Sequence, residues 1–263
     1  MVDTIHKRLR RKEMRMKANI PATVIAVIAA IAIGACSAAS NARQSEAGGP
    51  DPSGSATSRT IAASGFKAVG LGGLDRVTIK QGSGFSVIAR GAARDLDDLD
   101  IEVKGDSLSI RRKQNTGWMS HRRPLDIAIV MPRLEGLSLG GSGTISADRM
   151  AADSANLSIG GSGDINVAAL DAQSVRMNIG GSGNIMAAGK AGQASVSVAG
   201  SGNVKAAELA VDSADISVAG SGNVASHVTG RAKVTVMGSG NVTLTGGAQC
   251  DNRKMGSGSI HCS

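Results

Sequence analysis

Residues 157–165 read LSIGGSGDI and residues 177–185 read MNIGGSGNI. The phrase recurs down the chain. Gly-Ser-Gly triplets start at Gly141, Gly161, Gly181, Gly200, Gly220, Gly238 and Gly256, at spacings of 20, 20, 19, 20, 18 and 18 residues. Apolar residues flank a polar one before six of these triplets: Leu137/Leu139, Leu157/Ile159, Met177/Ile179, Val196/Val198, Ile216/Val218 and Val234/Val236. A branched residue follows each after one polar position: Ile145, Ile165, Ile185, Val204, Val224 and Val242. The period is two, which makes strands rather than helices. A unit that buries so few side chains is stable only when stacked on copies of itself. The repeat therefore predicts an all-β fold, a parallel β-helix or β-solenoid with coils of about 20 residues and strands about 4.8 Å apart.

Each unit reads as two short strands meeting at a tight corner. Glycine suits such a corner, either for backbone angles that a Cβ forbids or for close approach of the next coil. The structural corner residues are then Gly141 and Gly143, Gly161 and Gly163, Gly181 and Gly183, Gly200 and Gly202, Gly220 and Gly222, Gly238 and Gly240, and Gly256 and Gly258. The serines between them can align as a ladder. So can Asp164, Asn184, Asn203, Asn223 and Asn241, with hydrogen bonds along the stack. An eighth triplet, at Gly82, stands outside the array.

Composition agrees. Phe66, Phe85 and Trp118 are the only aromatics, and 36 of 263 residues are glycine, roughly twice the usual share. A conventional core of this size would recruit more aromatic bulk. The net charge of +8 is concentrated in a leader. Seven Lys or Arg against Asp3 and Glu13 give residues 1–19 a charge of +5, leaving +3 for the rest. Nucleic acid is thus not an expected partner.

Basic residues Lys7 to Lys17 precede the apolar run IPATVIAVIAAIAIGA, residues 20–35. Sixteen residues is short for a membrane span, and the order basic, apolar, small is that of a secretory signal. Translation from Met14 or Met16 would give a more ordinary leader. Ile33-Gly34-Ala35-Cys36 resembles the lipobox of bacterial lipoproteins, with Ile in place of the commoner Leu. The resemblance implies that the signal/lipoprotein leader segment 1–36 is cleaved before Cys36 and that Cys36 becomes the lipidated first residue, a membrane anchor through acyl chains, and, with Ser37 next, sorting to the outer membrane. The alternatives are plain cleavage near Ala39, which yields a periplasmic or secreted protein, and an uncleaved anchor. Residues 37–60 are small, polar and aperiodic, and read as a flexible tether.

The remainder, 61–262, reads as a single solenoid domain, with an irregular first part and cap at 61–135 and regular repeats at 136–262. Val77/Ile79, Ile101/Val103, Leu108/Ile110 and Leu125/Ile127/Ile129 mark strands in the first part, and Gly105-Asp106 marks a hairpin turn. Residues 93–100, ARDLDDLD, read as a turn or short helical crossing. Between Ile110 and Leu125, the residues Arg111, Arg112, Lys113, Arg122 and Arg123 flank Trp118, with His121 alongside. Cations around a tryptophan suit an anionic lipid headgroup, a glycan or nucleic acid. The plainer reading is a solvated loop. This is the candidate contact loop.

Catalytic inventory is thin. Asp148, Asp153, Asp164, Asp171, Asp212 and Asp215 are scattered without a repeated pair, although glycoside hydrolysis needs two facing carboxylates. His227 is isolated, and no serine has an evident base and orienter. No triplet leads into a nucleotide-binding helix. Calcium-binding nonapeptide coils have about half this period. No enzyme, cofactor or metal is expected. Cys250 and Cys262 flank the last triplet. In an exported chain they read as a disulfide clipping the terminal coil, the alternative being a metal pair with His261. Cys36 is then left over for lipid.

GLGG and QGSG in the first part, MPRL before the array, GSG followed by Asn/Asp and Ile/Val, and the final Cys–GSG–Cys clip together resemble the GIN head domain family, also described as putative auto-transporter adhesin, head domain. The likeness spans about 61–262. It implies a right-handed parallel β-helix-like solenoid in exported bacterial proteins and no established catalytic residues. The expected function is a non-catalytic, adhesin-like scaffold of the cell envelope whose partner is an envelope protein, a glycan or a lipid surface. The competing expectations are a self-associating structural protein that forms homo-oligomers, and a polysaccharide-acting β-helix enzyme.

Overall fold

In the computed structural model, which describes residues 56–113 and 123–263, the repeats stack in register. Leu157 pairs with Leu137 on one side and Met177 on the other, and the line continues through Val196, Ile216 and Val234. All six are buried. A second line runs Ile145, Ile165, Ile185, Val204, Val224, Val242. Every strand pair in the array is parallel, as stacked coils require.

The coils differ from the expected pair of short strands. After β8 (Gly136–Gly141) and β9 (Thr144–Ala147) come β10 (Met150–Ile159), β11 (Asp164–Gly181), β12 (Asn184–Gly200), β13 (Asn203–Gly220) and β14 (Asn223–Gly238). From β11 to β14, one run of strand fills the whole interval between triplets. Small residues such as Ala168, Ala169, Ala188 and Gly189 let the chain bend while pairing continues above and below. Only local register shifts interrupt it. The array ends in β15 (Asn241–Thr245), β16 (Gln249–Met255) and β17 (Ser259–Cys262).

The first part enters the same stack out of sequence order. β2 (Ala68–Gly73) lies between β8 and β6 (Ser107–Arg112), and β3 (Arg76–Gln81) lies between β9 and β7 (Asp126–Met131), all parallel. The chain thus makes an inner coil with β2 and β3, leaves, and returns to make the terminal coil with β6 and β7. The excursion runs through β4 (Ser86–Ala92), α1 (Ala93–Asp97) and β5 (Leu99–Lys104). β4 pairs antiparallel with β7, β5 with β6, and β1 (Ala56–Ile61) with β4. These strands cover the edge that the terminal coil would otherwise expose. Phe66 and Phe85 plug this end with ring centroids 4.9 Å apart. β1 begins at Ala56, so the last residues of the stretch 37–60 expected to be a tether are strand. Cys36 and residues 37–55 lie outside the described residues.

At the opposite end the inward line changes character. Val234 is followed in register by Asn252, and Val236 by Lys254. Cys250 aligns with Ala232 and Cys262 with Leu244, and the two cysteines form a disulfide. The bond joins β16 to β17 where packed side chains run out. Among the described residues no helix is long and apolar enough to cross a membrane.

Candidate functional site

The site is best built from the corners. The carbonyl of Gly161 accepts hydrogen bonds from two N–H groups of the next coil, Ser182 at 2.9 Å and Gly183 at 3.0 Å. Gly141, Gly181, Gly200 and Gly220 repeat the arrangement with the coils that follow them. Neither glycine of a triplet leaves room for a Cβ against the coil before it. At Gly181 the backbone has φ +141°, and a Cβ would lie 2.4 Å from the Gly161 oxygen. At Gly183 a Cβ would lie 2.3 Å from the Gly163 oxygen. Beside this edge the carboxamide ladder is continuous. Nδ2 of Asn184, Asn203, Asn223 and Asn241 each donate to Oδ1 of the residue one coil back, over 2.8–3.0 Å, starting from Asp164. Ser259 closes it, its hydroxyl donating to Asn241 Oδ1 at 2.7 Å.

Two coils of the stack depart from Gly-Ser-Gly. In the inner coil Gly73-Leu74-Asp75 takes its place, since Gly73 pairs with Gly141 and Arg76 with Thr144. The triplet at Gly82 is no corner; it turns the chain from β3 towards the antiparallel β4. In the terminal coil Gly72 pairs with Arg111 and Arg76 with Asp126. Arg112 and Leu125 therefore stand where a corner would begin and end, and residues 113–124 replace a single corner residue. The candidate contact loop is an opened corner.

Asp75 holds both ends of this loop. Its side chain is fully buried. Oδ1 accepts from Leu125 N at 2.8 Å and from Arg112 Nη2 at 2.5 Å, and Oδ2 accepts from Arg112 Nε at 2.9 Å. Arg112 also donates to the carbonyls of Asp95 and Arg123. Burial works against the guanidinium charge, but the hydrogen bonds and charge of Asp75, with Asp95 and Asp98 nearby, more than offset it. The pKa of Arg112 lies above its ordinary value. This corrects one expectation: Arg112 is not a contact residue, because its side chain is 5% exposed and committed to Asp75. Asp75 was missed in the sequence. The signal was present, a GLGG run leading into an aspartate and then a period-two strand, but only the register shows that Asp75 occupies a glycine position.

The other loop residues are spread out. Arg111 lies on β6, exposed, 3.6 Å from both Asp100 and Glu102. Lys113 Nζ donates to the Asp97 carbonyl at 2.9 Å. Arg123 is at the loop's return, and Trp118, His121 and Arg122 lie outside the described residues. Several acidic residues weighed for catalysis have structural partners. Asp164 heads the carboxamide ladder, Asp171 meets Lys190 at 3.3 Å, Asp153 meets Arg133 at 3.4 Å, and Asp148 accepts from Gln81 N. His227 Nδ1 sits 3.1 Å from Thr245 Oγ1 at the surface. Among the described residues no group of three or more His, Cys, Asp or Glu side chains could hold a metal ion.

Known proteins resemble the chain at the level of fold. A putative adhesin from Bacteroides fragilis NCTC 9343 superposes with a TM-score of 0.75 at 20% identity, over 81% of this chain and 99% of that one. A protein named as a putative lipid binding protein from Parabacteroides distasonis ATCC 8503 gives 0.63 at 23%, over 80% and 97%. A putative adhesin from Parabacteroides merdae ATCC 43184 gives 0.65 at 20%, over 80% and 97%. Comparison with curated proteins finds no match. The family model described as "Putative auto-transporter adhesin, head GIN domain" matches residues 65–248, the inner coil, the opened corner and most of the array together, and the chain belongs to that family.

Proposed function

We propose that the protein is a non-catalytic, adhesin-like scaffold of the bacterial cell envelope, anchored at the outer membrane through lipid on Cys36, and that the opened corner at residues 113–124 is its contact surface. The observation that carries this is positional. The other corners in the stack turn in three residues, whereas the terminal coil spends residues 113–124 there and fastens both ends to the buried Asp75. A rigid coil stack holding a cationic, tryptophan-bearing loop at one end suits contact with an anionic surface. The adhesin and lipid-binding names of the similar structures support a binding role of this kind. The leader and Cys36 support the location.

Two measurements test the proposal. Intact mass of the protein from a bacterial membrane fraction, beside Cys36→Ala, is expected to show a chain beginning at Cys36 with acyl groups, lost on substitution. A lipid-free mass beginning elsewhere overturns the anchor. Flotation of the lipid-free Cys36→Ala chain with phosphatidylglycerol vesicles is expected to depend on Trp118 and Arg123, tested by adding Trp118→Ala and Arg123→Ala with the coil signal in circular dichroism retained. Unchanged flotation overturns the loop as the contact surface.

A further inference from the structure

A second surface runs along the stack, away from the loop. Positions 154 and 156 of β10 begin two outward columns that follow the pairing register. One runs Ser154, Ser174, Gln193, Ser213, Arg231, and the other Asn156, Arg176, Ser195, Asp215, Lys233. Between them lies an open groove of about 460 Å³. Ser174 and Ser213 are half-buried along it, while Arg176, Gln193, Arg231 and Lys233 stand exposed. Three cations face one carboxylate, Asp215. Among the described residues, none of the three cations is held in an ion pair, unlike Arg59, Arg133 and Lys190 elsewhere on the surface. Arg176 and Lys233 sit three coils apart, about 14 Å at the spacing of parallel strands.

We infer that this groove binds an acidic polysaccharide lengthwise along the coil axis. Over a floor of Val175, Ala194 and Ala214, the walls carry hydroxyls, a carboxamide and three cations beside the single carboxylate of Asp215; hydroxyl, carboxamide and cation are the groups that recognise sugar hydroxyls and uronate carboxylates. Its repeat of one coil is comparable to the length of one sugar ring, so successive rings meet equivalent positions. Arg176 at one end and Arg231 with Lys233 at the other meet carboxylates separated by intervening rings. The groove has no aromatic platform, so affinity depends on charge and a neutral glycan is excluded. The same lack disfavours single-stranded nucleic acid, which needs stacking. A peptide strand is disfavoured because the backbone groups here are already paired to the coils on either side, leaving no edge to extend. The inference stands whether or not Cys36 carries lipid and whether or not the loop binds a membrane.

The test is fluorescence polarisation of labelled oligogalacturonate with the detergent-solubilised full-length chain. Binding is expected, with none to maltoheptaose. Arg176→Ser and Lys233→Ser, which replace each cation by the residue type that already stands at 195 in the same column, are each expected to weaken binding about tenfold. Lys205→Ser, which removes the same charge from a different face, is expected to leave binding unchanged. Ser195→Glu adds a negative charge between Arg176 and Lys233 and is expected to weaken binding as well. No binding of oligogalacturonate, equal binding of maltoheptaose or of polyglutamate, or an equal loss in Lys205→Ser each overturns the assignment.

Discussion

Placing a methyl group at Gly181 tests the corner directly. In Gly181→Ala the new Cβ would sit 2.4 Å from the Gly161 carbonyl oxygen and 3.1 Å from its carbon. These are backbone atoms, so no side chain can swing aside. The oxygen that must move is the one accepting from Ser182 and Gly183. Two hydrogen bonds at about 0.5–1.5 kcal/mol each are weakened. A residue with a Cβ is also forced to φ +141°, which costs a further 1–3 kcal/mol or so. The expected loss is about 2–6 kcal/mol. The control is one residue away. At Gly180 the nearest atom to a Cβ is the Ile159 oxygen, 3.9 Å off, and the next coil already has Ala199 in register there. Gly180→Ala is expected to stay within about 0.5 kcal/mol of wild type. Urea unfolding followed by far-ultraviolet circular dichroism measures both. Equal stability of the two variants, or a Gly181→Ala loss below about 0.5 kcal/mol, would refute the account of the corner.

Asp75→Ala leaves the buried Arg112 charge without its partner and is expected to cost about 3–5 kcal/mol in the same assay. Because the folded pKa of Arg112 is raised, its contribution is complete below the ordinary arginine pKa and falls only as pH rises through the folded value. The difference between wild type and Asp75→Ala should therefore be constant from about pH 7 to pH 10. Asn203→Ala breaks two rungs of the carboxamide ladder and is expected to cost about 1–2 kcal/mol; a neutral result would mean the ladder is decoration. Reduction of Cys250–Cys262, which closes a short loop, is expected to cost about 3 kcal/mol. Hydrogen exchange should then rise in β16 and β17 while β10 to β13 keep their protection.

Legibility followed the period. Wherever branched and polar residues alternated around a glycine triplet, every residue of the inward set read from sequence, from Leu137 to Val242, is buried in the structure, while Leu170, Val175, Leu209, Val211 and Val228, buried between the triplets, were not read. The Asn ladder was also legible, since equal residues at equal phase must align in stacked coils. What the sequence hid was order. Nothing in DRVTIKQ or SLSIRR says that the second lies outside the first, because both carry the same period and either fits the stack. The length of strand was hidden too. A bend of Ala and Gly looks like a break in pattern, yet neighbouring coils keep it paired. Arg112 was misread because five cations in a short stretch look alike in sequence. Only the register places Arg112 beside Asp75 and leaves Arg111, one residue earlier, pointing outward.

The unequal spacings of the triplets show where this fold tolerates change. From Gly161 to Gly256 the coils run 20, 19, 20, 18 and 18 residues, yet the corners stay in register throughout. The differences are absorbed on the far side. One residue is lost opposite Val167–Leu170, one regained opposite Met186–Gly189, and three lost and one regained opposite Ala206–Ser213. A corner inside the stack cannot absorb them, because each Gly carbonyl there serves the coil above while its own N–H groups are committed to the coil below. The terminal coil escapes this, having a neighbouring corner on one side only. A Cβ at Gly163 would point at Gly143, and one at Gly143 would point at Asp75. The Cβ of Asp75 by the same geometry points at the terminal coil, where the corner has opened. The position that admits an aspartate is thus the one that faces the loop, and the loop can exist at that end because, among the described residues, nothing stacks beyond it in parallel. Lengthening the array would extend the groove and leave the loop untouched. The two surfaces are therefore separable by mutation, and loss of one activity in a folded variant should leave the other intact.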